Sequence, residues 1–346
     1  MNHDDTITDD TAPDDGTEAL PPSTDPAWRV VTEAWDPAHG SSGDFELDGS
    51  DSVTRAEPGD LIVARGAATS VPLAFVDGTR RVELTMWAEH ATTGDRVPGV
   101  AGAYAVGAAI VRPNGTAGIA GIRVGRIAIW GGGHTGDIDA PRSKYRWAST
   151  PIAALDLESC AAHLQNRMRL AEGDLALHAA ANGWNVILDG PLNRIRSPHG
   201  NVTGYVKSHH RRLLPPDEHA RVPGLGVGER TRVFAAGTDR YTCYMRVGNP
   251  APTTSPWTGI ARLEFPTNEG LDAVVARASQ FASLIPTYAG VPHRDPRAPV
   301  NLTPVRNLEM RLARELGRSS LAERAAREAV AGRTRPTNTP NGQAAS

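Results

Sequence analysis

The stretch from 101 to 130 constrains the fold most. Two long runs of Ala, Val, Ile and Gly, 101–112 and 117–130, are split by Pro113-Asn114-Gly115. A Pro-Asn-Gly breaker between such runs signals strand, turn, strand. Around it, residues 71–76 (VPLAFV) suit a buried strand, and RRVELTMWAEH (80–90) alternates as a second one. Gly131-Gly132-Gly133 closes this part in a loop. The character then changes. Residues 153–182 carry apolar side chains at three- and four-residue spacing, which predicts one long helix or two stacked ones, stopped at Asn182-Gly183. WNVILDG (184–190) reads as another buried strand. Further strands are expected at 201–207, 230–236, 241–247 and 259–265, and helices at 269–284 and, as an amphipathic pair, within 303–332. Strands, a long helix, a strand and then helices predict a mixed α/β domain rather than a bundle or a sandwich.

Residues 1–25 hold eight carboxylates and no Lys or Arg, which moves the net charge of −3 for the whole chain to +5 for the remainder. Such a segment buries too little apolar surface to order itself. The expected organisation is a disordered acidic tail at 1–26, one domain at 27–332 and a second tail at 333–346. No apolar run is long enough to span a membrane, and the acidic start lacks the features of a secretory signal. Cys160 and Cys243 have neither disulfide-framework nor metal-type spacing. The expectation is a cytoplasmic protein. Basic side chains are almost all Arg; only Lys144 and Lys207 break the pattern. No phosphate-binding G-x-x-x-x-G-K-[ST] loop is present, so ATP hydrolysis is not expected.

Two Asp-Gly pairs end apolar runs: FVDG at 75–78 and ILDG at 187–190. If both runs are neighbouring strands, Asp77 and Asp189 emerge together at one edge. Two such carboxylates repel unless a cation joins them, and a hard divalent ion suits them. Each pair is also a common hairpin turn, Asp77-Gly78 especially, because a second strand follows at once. Glu172 lies on the long helix 17 residues before Asp189 and is a candidate third acid, with Glu158 and Asp174 as competitors. The loop GGGHTGDID (131–139) offers His134, Asp137 and Asp139 but reads as a plain loop. His209-His210 read as surface residues, since neighbours on a strand face opposite ways.

The order of these motifs resembles the NurA nuclease family: Asp-Gly-small after a first strand, Glu on a long helix, then Ile-Leu-Asp-Gly-Pro-Leu. NVTGYVKSHHRRLLP (201–215), YTCYMRV (241–247), GIARLEFP (259–266) and the segment 285–317 agree with it, so the resemblance covers about residues 70–317. Thr79 stands where serine is commoner in the family. The resemblance implies a ribonuclease-H-like mixed sheet flanked by helices, with extra C-terminal helices. It also implies a homodimer, Mn²⁺-dependent (or Mg²⁺-dependent) cleavage of DNA, and a HerA-type hexameric translocase ATPase as partner, in DNA repair or phage defence. Carried over by position, Asp77, Glu172 and Asp189 would ligate metal, and His293 would be a fourth ligand or would contact the scissile phosphate, with Tyr288 beside them. Lys207, Arg262 and Arg297 are candidates for contact with DNA phosphates. Two other readings remain: a non-catalytic DNA-end clamp on the same fold, and a sugar-kinase-like or actin-like ATPase, which would need glycine-rich phosphate loops that the sequence does not offer.

Overall fold

The computed structural model describes residues 53–192, 201–209, 212–251 and 254–333. The expected N-terminal tail, most of the C-terminal one and His210 lie outside them. The described residues form thirteen strands: β1 Val53–Arg55, β2 Ile62–Val63, β3 Leu73–Glu89, β4 Arg96–Val111, β5 Ala117–Trp130, β6 Ile138–Ala140, β7 Tyr145–Pro151, β8 Asn185–Asp189, β9 Val202–Val206, β10 Arg230–Thr231, β11 Phe234–Ala236, β12 Arg240–Arg246 and β13 Ile260–Pro266. The α-helices are α1 Leu157–Ala181, α2 Pro216–Arg221, α3 Leu271–Leu284, α4 Thr303–Glu315 and α5 Ser319–Arg333.

The strands build one mixed sheet in the order β1-β11-β12-β13-β9-β8-β3-β4-β5-β7-β6, with β10 and β2 attached to β12. At its centre β3, β4 and β5 run antiparallel, and β8 and β9 continue parallel to β3. A three-strand meander followed, after a crossover helix, by two parallel strands on the far side of the first is the ribonuclease-H order. The crossover is α1, a single helix of 25 residues. Asp156 caps its start by accepting from the Ser159 amide at 2.6 Å, and Gly183, at φ 82°, follows its end.

One turn expectation is corrected. Asp77-Gly78 is no hairpin: β3 runs straight through it, with Asp77 opposite Gly107 and Gly78 opposite Val106. The strand continues because β4 is equally long and pairs with both halves of it. The chain reverses later, at His90–Asp95, where the His90 amide donates to the Asp95 carbonyl at 2.8 Å. β6 and β7 were not expected. They lie within and beyond the glycine-rich loop, where Asp137 pairs with Arg146 at 2.6 Å.

The two faces of the sheet are covered differently. Phe75, Ile187, Tyr205 and Leu263 pack with α3 and α4 residues such as Phe281, Leu308 and Leu312. Their neighbours Val76, Val186 and Leu188 pack on the other face with Met168, Leu175 and Ala176 of α1. Strand alternation then decides where the acids fall: Asp77 and Asp189 belong to the α3–α4 side.

A buried ionic cluster holds the end of α4 to the sheet. Glu83 accepts from Trp147 Nε1 at 2.8 Å and from Arg81 at 2.7 Å, with Arg126 at 3.6 Å. Arg81 and Arg126 also donate to the Leu316 carbonyl at 3.1 and 2.7 Å, and Arg81 donates to that of Gly317 at 2.9 Å. They thereby satisfy carbonyls that a helix end leaves open. Removing one partner from a buried pair strands the other charge. Glu83→Ala is therefore expected to cost roughly 3–5 kcal/mol of unfolding free energy in urea titrations; a loss under about 1 kcal/mol, typical of an exposed pair, would show that the cluster does not anchor α4.

Candidate metal centre

Asp77 directly follows the section of β3 that pairs with β8, and Asp189 is the last residue of β8 itself. Parallel pairing brings both to the same edge on the same face. Glu309 descends from α4 onto them, one residue after the buried Leu308. Carboxylate oxygens of Asp77, Asp189 and Glu309 lie within 4.8 Å of one another. Glu172 arrives from the opposite face. It is almost fully buried and stands over Gly78, where an added Cβ would come within 2.5 Å of its Oε1. The glycine is needed here for space, since any larger residue would push Glu172 aside.

These four acids line a cleft of about 290 Å³ together with Arg169, Lys207 and Arg297. Lys207 Nζ meets Asp189 at 2.5 Å and donates to Asn301 Oδ1 at 3.0 Å. Arg297 pairs with Glu309 at 2.7 Å. Asn301 is fully buried, and its Nδ2 donates to Asp295 at 2.6 Å and to Glu309 at 3.4 Å. One amide thus holds Lys207 and Glu309 in fixed relation. Among the described residues, four carboxylates against three cations leave the cleft acidic. Asp77 shows the strain most. Burial pushes its carboxyl well above the ordinary value of 3.8; Asp189 and Glu172 push it further, Lys207 opposes, and Glu309 adds to the rise. Burial also raises the Tyr205 phenol, with Asp189 adding to it. Arg297 stays firmly charged: burial works against its charge, but Glu309, Asp295 and Asp189 outweigh it.

Close carboxylates under mutual repulsion, with hard oxygen donors, fit a divalent ion such as Mn²⁺ or Mg²⁺. Asp77, Asp189 and Glu309 would hold it, with Glu172 beside them.

The other residues singled out in the sequence fall elsewhere or carry other duties. His293 is exposed on the turn before Asp295 and is not among the residues that line the cleft. The third close carboxylate comes from Glu309, which the sequence reading missed. Tyr288 stands edge-on to Phe75, with ring centroids 5.3 Å apart, and lines a separate cavity. Arg262 lies on β13 between the inward-facing Ala261 and Leu263, so it points to the other face, where it pairs with Glu264 at 2.9 Å. His209 is buried rather than on the surface, against Tyr244 and Trp257. Arg169 and Asn301 were also missed. Asn301 lies within the 285–317 segment without standing out in it, and a helix arginine or a loop asparagine has no periodic signal.

No family model matches the chain, and no curated protein does. Among solved structures it is similar to the NurA nuclease from Sulfolobus solfataricus, at 11% sequence identity and a TM-score of 0.45, over 79% of this chain and 87% of that one.

A carboxyl whose folded pKa lies above its unfolded value costs stability once pH rises through the unfolded value. The cost is complete above the folded one. Asp77→Asn is therefore expected to raise the thermal midpoint of the metal-free chain at about pH 8 and to change it little near about pH 4. Mn²⁺ should stabilise the wild type by about 2.7 kcal/mol at a free concentration of about 100 times Kd, and should do much less for Asp77→Asn. Equal metal responses in the two proteins would remove Asp77 from the binding set.

Proposed function

We propose that this chain is a metal-dependent nuclease that hydrolyses phosphodiester bonds in DNA. The observation that carries the reading is the set Asp77, Asp189 and Glu309, gathered within 4.8 Å at one edge of a ribonuclease-H-ordered sheet. A divalent ion held there by Asp77, Asp189 and Glu309 would neutralise the acids and supply Lewis-acid chemistry to a phosphodiester and a water. The chain's own residues do the rest. Asp77, Asp189 and Glu309 fix the ion, and Glu172 adds negative charge above Gly78. Lys207 and Arg297 keep the acids apart and present positive charge to an anionic substrate. The motif order set out above supports the same reading. On that resemblance the proposal extends to a homodimer that prefers Mn²⁺ and receives DNA ends from a HerA-type translocase, in repair or phage defence. On this reading the last ligand is Glu309 rather than His293: its carboxylate shares the cluster, while His293 is exposed on a turn.

Cleavage of labelled linear DNA, with Mn²⁺, Mg²⁺ or EDTA, tests this. Asp77→Ala, Asp189→Ala and Glu309→Ala are each expected to lose at least about 100-fold, the upper end of what disturbing residues behind metal ligands costs. His293→Ala should keep most of the activity. Loss in His293→Ala with retention in Glu309→Ala would restore the ligand set implied by the motifs. DNA binding without cleavage, even with the translocase and ATP added, would favour the non-catalytic clamp.

A further inference from the structure

The geometry points to Arg169 as the residue that grips the substrate phosphate. The inference rests on the nuclease reading of the cleft and adds a contact that the motifs do not carry.

Arg169 precedes Glu172 by three residues on α1, so both project in the same direction. Glu172 is buried, whereas the Arg169 side chain is 31% exposed and lines the mouth of the same cleft. Its Nη1 donates to the Asp189 carbonyl at 3.0 Å and to Glu172 Oε2 at 3.3 Å. These contacts lock the guanidinium in place from one end. Its Nη2 and Nε donate to no described residue. The backbone beneath it is cleared as well. Gly190 has φ 120°, and a Cβ there would stand 2.9 Å from Nη1. The Asp-Gly turn therefore needs glycine twice over, for its conformation and for the arginine lying on it.

The other two cations of the cleft are committed. Lys207 is held between Asp189 and Asn301, and Arg297 between Glu309 and Asp295. Among the described residues, Arg169 is the cleft cation with both exposure and spare donors. A guanidinium anchored through one nitrogen offers the other two as a planar fork, which suits two non-bridging oxygens of one phosphodiester. The ligand is thus a phosphodiester strand, held beside the acids rather than at a remote surface.

The probe is a fluorescently labelled single-stranded oligonucleotide, bound in EDTA so that no cleavage occurs and followed by anisotropy across a salt series. Arg169→Met is expected to weaken binding about tenfold, the scale of one charge-assisted hydrogen bond, and to lower the slope of log affinity against log salt by about 0.7. Arg169→Lys should recover the slope but only part of the affinity, because a point charge lacks the fork. The Mn²⁺-induced rise in thermal midpoint should survive in both variants. Unchanged affinity and slope in Arg169→Met overturn the inference. So does joint loss of DNA binding and the Mn²⁺ response, which would make Arg169 a strut for Glu172. Wild-type cleavage in Mn²⁺ is read on the same strand. Cleavage with Arg169-independent binding sinks the inference alone. Arg169-dependent binding without cleavage sinks the nuclease reading alone, and no wild-type binding sinks both.

Discussion

Mutual repulsion among Asp77, Asp189, Glu172 and Glu309 is the constraint around which this end of the molecule is organised. A lone buried carboxylate would protonate or drive the chain toward another arrangement. Four can persist only because the fold over-determines their positions. Asp77 is fixed by β3, which pairs with β8 on one side and with β4 on the other. Asp189 is fixed by β8 and Lys207, Glu309 by α4 and Arg297. The acids stay where strand pairing and their cation partners put them.

The C-terminal segment completes what the sheet begins. Without α4 and the turn before it, the cleft would hold three acids and lack both Arg297 and Asn301. Asn301 is the joint between the halves: it accepts from Lys207, which stands just past β9, and donates to Asp295 and Glu309 from the C-terminal part. An aspartate there would add a fifth carboxylate, and a leucine would leave Lys207 and Asp295 short of a partner. The Glu83 cluster anchors the other end of α4 through the carbonyls of Leu316 and Gly317. Glu309 is thus held by a helix tied down at both ends, as a site tolerant of only small displacements requires.

The sheet was legible because its signals are local. The breaker at 113–115 and the runs around it gave β4 and β5, and the spacing over 153–182 gave α1. The end of β8 was legible for the same reason, since the buried run ILDG stops at Asp189-Gly190. The wrong expectation at Asp77-Gly78 shows where this stops. A turn and a continuous strand use the same two residues, and only the length of β4, a non-local partner, decides between them. Glu309 was hidden by its setting. NLEMRLARE reads as an amphipathic helix whose acids face water, and the tertiary placement of α4 alone turns one of them inward. His293 illustrates the converse: a motif match carried it to the site, while the chain path leaves it on an exposed turn.

The pairing of acids with cations also bears on how such a cleft can work. Asp189 and Glu309 already have partners in Lys207 and Arg297, so an entering divalent ion must displace or share them. The displaced cations cannot leave, because Asn301 still holds Lys207 and Asp295 still holds Arg297. They stay within reach of any anion that follows the ion in. The same charges therefore serve twice: they limit repulsion while the acids stand alone, and they favour a phosphate once the acids are otherwise neutralised. Arg169 differs in that one of its two ties is to the Asp189 backbone carbonyl and the other to Glu172, outside the close trio of Asp77, Asp189 and Glu309.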